Sequence, residues 1–303
     1  MKLKKWSLIL TIILFIFCIW HLFFRCKFDI SSFRSEKVTN LNEFKFVINS
    51  KICRKDEFLI AIVCIAVDNF EQRKIIRQTW ANFDSIKTVF LLGSSVNKSV
   101  NKLVEEENKF YSDIIQQDFI DTYSNLTLKS IMGLQWISLY CPNVKYVLKI
   151  DDDVLVNIPF LVSYLKSLKY LDNYYIGSYQ IGAPVIRDEQ FKWAIFPSDY
   201  SSNCYPPYHQ GPAYLISGKF APVLYNISKY TRLFKLEDIY MGILAYQTKT
   251  NYVAINGYYL NNPEFSLYQT RQLSRNGKSK IFAFALREEF LAIWQLFKKL
   301  INE

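Results

Sequence analysis

Glycine and proline are scarce in this chain, nine of each in 303 residues, which excludes fibrous and low-complexity architectures and leaves a compact body with few flexible linkers. Histidine is scarcer still, with two residues, and no CxxC pattern accompanies the six cysteines, so zinc-ribbon and zinc-finger chemistry has no ligands to use. No P-loop, GxGxxG, GxSxG or HExxH occurs, and no repeat of solenoid length. Any use of a nucleotide therefore has to be of a metal-bridged kind.

Half of the residues are hydrophobic and 17% are aromatic, enough for a sizeable core. The formal charge of +10 is concentrated at the start, where residues 1–57 hold eleven Lys and Arg against five acids. The later part is close to neutral, which argues against an extended nucleic-acid surface while leaving room for a local basic pocket.

Ser7 to Phe24, SLILTIILFIFCIWHLFF, carries no Asp, Glu, Lys or Arg. As a helix its eighteen residues span about 27 Å, sufficient for a thin bilayer. Lys2, Lys4 and Lys5 precede it, so residues 1–6 are expected in the cytosol and the remainder in a lumen. No small-x-small cleavage site follows the run, which favours a retained anchor over a removed signal peptide. The sequons at Asn97, Asn125 and Asn226 agree with a lumenal address. Cys53, Cys64, Cys141 and Cys204 suffice for up to two disulfides, with Cys26 at the edge of the span; the pairing is open, and Cys64, inside an apolar run, is equally a buried thiol.

Residues 25–57, polar and basic without a sustained period, read as a stem. From Phe58 the pattern changes. The continuous run FLIAIVCIAV predicts a strand buried on both faces, and 87–93, 113–119 and 145–150 predict further strands. Helical patterns lie at 70–83, 99–110 and 124–139, the last with Ser124 as its cap and Leu126, Ile131, Leu134 and Ile137 on one face. Strands alternating with helices imply an α/β fold with a mostly parallel sheet. Short strands are expected near 173–180 and 213–217, and helices near 218–229, 237–247 and 287–300. Within one domain, 58–157 reads as a nucleotide half and 158–303 as an acceptor half.

The sharpest local feature is Asp151-Asp152-Asp153 after the apolar KYVLKI. Three adjacent carboxylates repel one another, and a divalent cation among them explains the triplet more simply than a solvated acidic turn. At a strand's carboxyl end they sit where open α/β sheets bind ligands, with Asp151 and Asp153 on one side and Asp152 on the other. Such an element holds Mn²⁺ against the phosphates of a nucleotide sugar. Glu237 and Asp238 open a later helix, as dipole partners or as the base that an inverting transferase requires. Arg73 and Arg77, one helical turn apart, offer cations to a diphosphate. Tyr205, Tyr208, Gly211 and Tyr214 belong to a Pro-stiffened aromatic segment able to stack on a sugar. His209 in the same segment reads as a structural histidine.

The order of RKIIRQTW, VFLLG, YSDIIQQDFIDTYSNLTLKS, CPNVKYVLKIDDDVLVN, YPPYHQGPAYLIS and LEDIYMG over roughly 58–295 resembles glycosyltransferase family 31, the β-1,3-galactosyl- and β-1,3-N-acetylglucosaminyltransferases. The resemblance implies a GT-A fold, a UDP-sugar donor, Mn²⁺, an inverting displacement onto a glycan 3-hydroxyl and a Golgi address. By position it gives nucleotide contacts to Asp151 and Asp152, the metal to Asp153, the general base to Asp238 with Glu237 beside it, and a place near the nucleotide to Arg73 and Arg77. Two departures stand out. His209, Gln210 and Ala213 alter the YPPY block and remove a cysteine there. Alignment on EEFLAIW places Ala283 where many members carry a metal-completing histidine, which motivates a rival reading, a glycan-binding member without turnover.

Overall fold

The computed structural model describes residues 26–35, 44–54, 56–255, 258–259, 282–284 and 290–302. Among these no helix is long and apolar enough to cross a membrane, and the Ser7–Phe24 run lies outside them. Two units are distinguished by their internal contacts, Met1–Ile30 with Ile181–Pro206, and Ser31–Gln180 with Pro207–Glu303.

The larger unit is built on an eight-stranded sheet. In chain order its strands are β1 (Phe46–Asn49), β2 (Leu59–Cys64), β3 (Lys87–Ser94), β4 (Ile114–Ile120), β5 (Tyr146–Asp151), β7 (Tyr174–Gln180), β8 (Tyr208–Ser217) and β9 (Asn251–Ala254). A separate three-stranded sheet joins β6 (Val154–Val156), β10 (Tyr258–Tyr259) and β11 (Phe282–Phe284). The main sheet is ordered β1-β4-β3-β2-β5-β8-β7-β9, with β4, β3, β2 and β5 parallel at its centre and antiparallel pairings at β1/β4, β5/β8 and β7/β8. The expected α/β class and parallel centre are observed.

Helices α1 (Phe70–Gln78), α2 (Lys98–Tyr111), α3 (Leu126–Tyr140), α4 (Ile158–Ser167), α5 (Phe220–Ser228), α6 (Glu237–Tyr246) and α7 (Phe290–Asn302) accompany the strands. Every residue of β2 is buried, as its unbroken apolar run requires. Leu59, Ala61 and Val63 share a core with Ile76, Trp80, Val104, Leu161 and Phe290. Alternation sends Ile62 to the other face, where α3 packs so closely that a Cβ on Gly133 would meet Ile62 Cδ1 at 2.8 Å.

Three expectations about elements are corrected. Ser124 lies in a 3₁₀ turn at Tyr123–Asn125 ahead of α3, whose N-cap Asn125 makes no side-chain capping bond. Helix α3 is buried around most of its girth, Thr127, Lys129 and Ser130 included, because α5 and α6 cover what would have been its polar face. The segment read as a stem contributes β1, whose Ile48 is buried, and Cys53, whose disulfide with Cys141 has a Cα–Cα distance of 5.6 Å.

The smaller unit is closed by the Cys26–Cys204 disulfide, Cα–Cα 5.9 Å. Tyr200 stacks on Tyr205, and the Arg187 guanidinium donates inward to the carbonyls of Ile195 and Ser202 at 2.8 and 2.7 Å. Among the described residues Cys64 is the free cysteine, buried, and burial pushes its thiol up to about 12.

Candidate active site

The carboxyl end of β5 presents Asp151, and the turn to β6 carries Asp152 and Asp153. The three side chains have different surroundings. Asp152 turns to α1, where Asn69 Nδ2 donates to its Oδ2 at 2.7 Å and Gln72 Nε2 to its carbonyl at 2.7 Å. Asp151 Oδ1 accepts from Lys149 Nζ at 2.6 Å. Asp153 Oδ1 is buried without a hydrogen-bond partner. Burial, then the charges of Asp151 and Asp152, push the Asp153 carboxyl up to about 7. Burial likewise raises Asp151 to about 6, although Lys149 pulls it back.

An orphaned carboxylate oxygen among like charges is a poor arrangement for an isolated protein and a suitable one for a hard divalent cation. Among the described residues no group of three or more His, Cys, Asp or Glu stands close enough to hold an ion alone. Asp153 with Asp151 therefore fits a cation whose remaining ligands come from substrate phosphates and water, as is usual for ions carried with nucleotides. The backbone of Ala283 in β11 pairs with Leu155, two residues beyond Asp153.

Lys149 organises the region. It is 1% exposed, and besides Asp151 its ammonium donates to the Gly211 carbonyl at 2.7 Å and faces Glu237 Oε2 at 3.3 Å. Burial works against its charge, but Asp151 and Glu237 overcome that and hold its pKa well above the usual lysine value. Glu237 Oε1 accepts from Ser130 and Tyr214 hydroxyls, each at 2.6 Å. Glu237 is thus buried with Oε1 doubly bonded and Oε2 facing only the Lys149 ammonium, whereas Asp238, half-buried, accepts among the described residues from the Gly211 and Ile239 amides at 3.2 and 2.9 Å. Burial and then the Glu237 charge push Asp238 up to about 6, the range in which a carboxylate serves as a base near neutral pH.

Gly211 is free for this because β8 bulges. Between Gly177↔Tyr214 and Tyr179↔His209 the register slips, and Ala213 is the last residue of β8 paired with β5. The slip leaves Gly211 off both ladders, so its amide and carbonyl turn to Asp238 and Lys149. A Cβ there would meet Asp238 Cβ at 3.4 Å.

The structure therefore brings Asp151, Glu237 and Asp238 into one cluster and holds Asp152 and Asp153 at its strand-end border. It does not do the same for the arginines. Arg73 is fully buried, paired with Glu107 at 2.6 Å and donating to the carbonyls of Ala66 and Val67, while Arg77 pairs with Glu107 and Asp113 at 2.7 and 2.8 Å. They brace the chain after β2 instead of facing a diphosphate, because acids in α2 and before β4 reach them first. Nor do the tyrosines form one open stacking face: Tyr214 is a buried partner of Glu237, and Tyr205 is buried in the smaller unit. Tyr208 is half-buried against α6, where a Cβ on Gly242 would meet Tyr208 Cβ at 2.6 Å. His209 is buried with Nε2 against the Tyr175 carbonyl at 2.9 Å, and burial lowers its pKa to about 4, so it is a neutral structural residue.

Sequence reading missed Lys149 and Ser130. A lysine at an inward position of a buried strand was the available signal, since such an ammonium needs an anion waiting for it. Of the sequons, Asn97 and Asn226 are exposed, while Asn125 is half-buried with Nδ2 donating to the Ile120 carbonyl at 2.8 Å. A pocket beside Glu57, Lys145 and Lys219 adjoins the opposite end of β5 and none of these groups.

A mixed sheet with a parallel centre carries an acidic cluster at its carboxyl edge. The galactosyltransferase family model matches residues 71–256, and by that match the chain belongs to the galactosyltransferase family. It is 38% identical over 228 residues to β-1,3-galactosyltransferase 1 of Mus musculus, covering 72% of this chain and 69% of that protein. To β-1,3-galactosyltransferase 2 of Homo sapiens it is 38% identical over 215 residues, covering 67% of this chain and 51% of that one. Among solved structures, a galactosyltransferase in complex with donor and acceptor sugar analogues is similar at a TM-score of 0.39 and 14% identity, over 80% of this chain and 95% of that one.

Proposed function

We propose that this chain transfers galactose or an N-acetylhexosamine from a UDP-sugar to the 3-hydroxyl of a glycan on glycoprotein or glycolipid, with inversion to a β-1,3 linkage. The reading includes a GT-A architecture and a type II Golgi membrane protein with residues 1–6 cytosolic, 7–24 as the span and the remainder lumenal. One observation carries it. The Lys149 ammonium touches both Asp151 at the strand end and Glu237 at the start of α6, so the two acidic motifs, far apart in sequence, form one cluster.

In this reading Asp238 takes the proton from the attacking hydroxyl, since it is the more accessible acid of its pair and its raised pKa suits the task. Glu237, held by Ser130 and Tyr214 through Oε1 and faced by Lys149, fixes the first turn of α6 and so aims its neighbour. Gly211 holds Asp238 through its amide while Lys149 grips the same glycine's carbonyl. Asp153 and Asp151 would hold Mn²⁺, which supplies positive charge for a departing diphosphate. Asp152, tied to α1, positions the turn.

Two substitutions test the roles. Asp153→Ala is expected to abolish Mn²⁺-dependent UDP binding by calorimetry, and Asp238→Asn to keep that binding while turnover falls roughly 10²-fold or more. Variants that bind and turn over like the parent would refute the assignment. The rival, a glycan-binding member without turnover, draws on Ala283 opposite Leu155. Glycan binding independent of UDP and metal, with no transfer from any common UDP-hexose, would favour it.

A further inference from the structure

The smaller unit carries a face its own core does not use. Ile181, Ile186, Phe191, Trp193 and Phe196 are all exposed, Ile181 by 71% and Phe196 by 52%, within sixteen residues, a denser local run of exposed large apolar side chains than the scattered ones elsewhere among the described residues. This exposure is built in. The inward bonds of Arg187, the Ile195 amide to the Ile186 carbonyl at 2.9 Å and the bridge between Pro184 and Cys204 pin the loop with these side chains outward.

Covalent geometry says what lies nearby. The disulfide puts Cys204 5.9 Å from Cys26, Cα to Cα, and only Arg25 separates Cys26 from Phe24, the last residue of the apolar run. Two residues reach at most about 7 Å, so Cys204 is tethered within about 13 Å of the end of that run, however the intervening chain is arranged.

We propose that the aromatic face of residues 181–196 rests in the headgroup and upper acyl region of the membrane in which residues 7–24 are anchored. The inference rests on the reading of 7–24 as a span. Trp and Phe beside exposed aliphatics suit that interface, where ring bodies leave water and polar edges keep it. Net charge is small, Arg187 and Lys192 against Asp188, Glu189 and Asp199 in residues 181–206, with the Lys192 ammonium 5.0 Å from the Trp193 ring centroid, so attachment is expected to be indifferent to anionic lipid.

The test uses the full chain in phosphatidylcholine nanodiscs, with the Trp193 emission obtained as parent minus Trp193→Phe. Lipid brominated near the headgroup should roughly halve that component, with no dependence on added phosphatidylserine or salt. A Trp193 component unaffected by brominated lipid yet quenched by aqueous iodide overturns the proposal. So does shielding of Trp193 in lipid-free detergent that appears only with acceptor glycan or on self-association. Alkaline extraction of the same nanodiscs separates the two readings. A chain released from lipid refutes the span itself, whereas a chain retained with Trp193 in water refutes only the docked face.

Discussion

Glu237 and Asp238 are adjacent acids in opposite circumstances, the first with an ammonium and two hydroxyls around it, the second with two backbone amides. Because Asp238 titrates at about 6, kcat should fall as pH drops through that value, and Asp238→Asn should lose the acid limb together with its turnover. The stability consequence has the opposite sign to that of a salt-bridged aspartate. A carboxyl whose folded pKa is raised binds protons more readily when folded, so it costs stability at neutral pH, and the cost fades as pH falls from about 6 towards the unfolded value. Asp238→Asn should therefore raise Tm at pH 7.5 by roughly 2–4 °C, the shift that ~1 kcal/mol gives in a domain of this size, and less at pH 5. Differential scanning calorimetry at the two pH values checks it.

Lys149 links strand β5 to helix α6 through its ion pairs with Asp151 and Glu237. Lys149→Met leaves Asp151 and Glu237 buried without their cation, which should cost about 3–5 kcal/mol and lower the urea midpoint sharply. Lys149→Met combined with Glu237→Gln should recover part of that loss, since Gln still accepts from Ser130 and Tyr214. Equal midpoints for the single and double variants would show that Glu237 does not need the lysine. These elements also show what sequence can disclose. The parallel strands are legible because burial on both faces leaves an unbroken apolar run, and 87–93 and 145–150 fall within a residue or two of β3 and β5. Strand β8 is legible only in its second half, expected at 213–217, since Tyr-His-Gln-Gly-Pro reads as a loop and is extended because β7 lies beside it. The acidic motifs announce themselves by local clustering. Lys149 and Ser130 do not, because the carboxylate they serve comes from a segment 88 and 107 residues later in the chain.

Over the molecule as a whole, cross-links and buried ion pairs tie together segments distant in sequence. Cys53–Cys141 closes a separation of 88 residues, so Cys53→Ser should cost roughly 2–5 kcal/mol. The fall in Tm should be about 5–15 °C, matched by a drop in the parent on reduction beyond that of the variant. Neither pairing was legible, because cysteine spacing does not encode which strand ends meet. The pairs are also nested, Cys53–Cys141 lying inside Cys26–Cys204. During synthesis Cys26 precedes its partner by 178 residues, with Cys53, Cys64 and Cys141 available meanwhile as wrong partners. Nested pairing thus makes the order of disulfide formation part of folding: Cys26 has to remain available, or be released from a wrong partner, until Cys204 has been made.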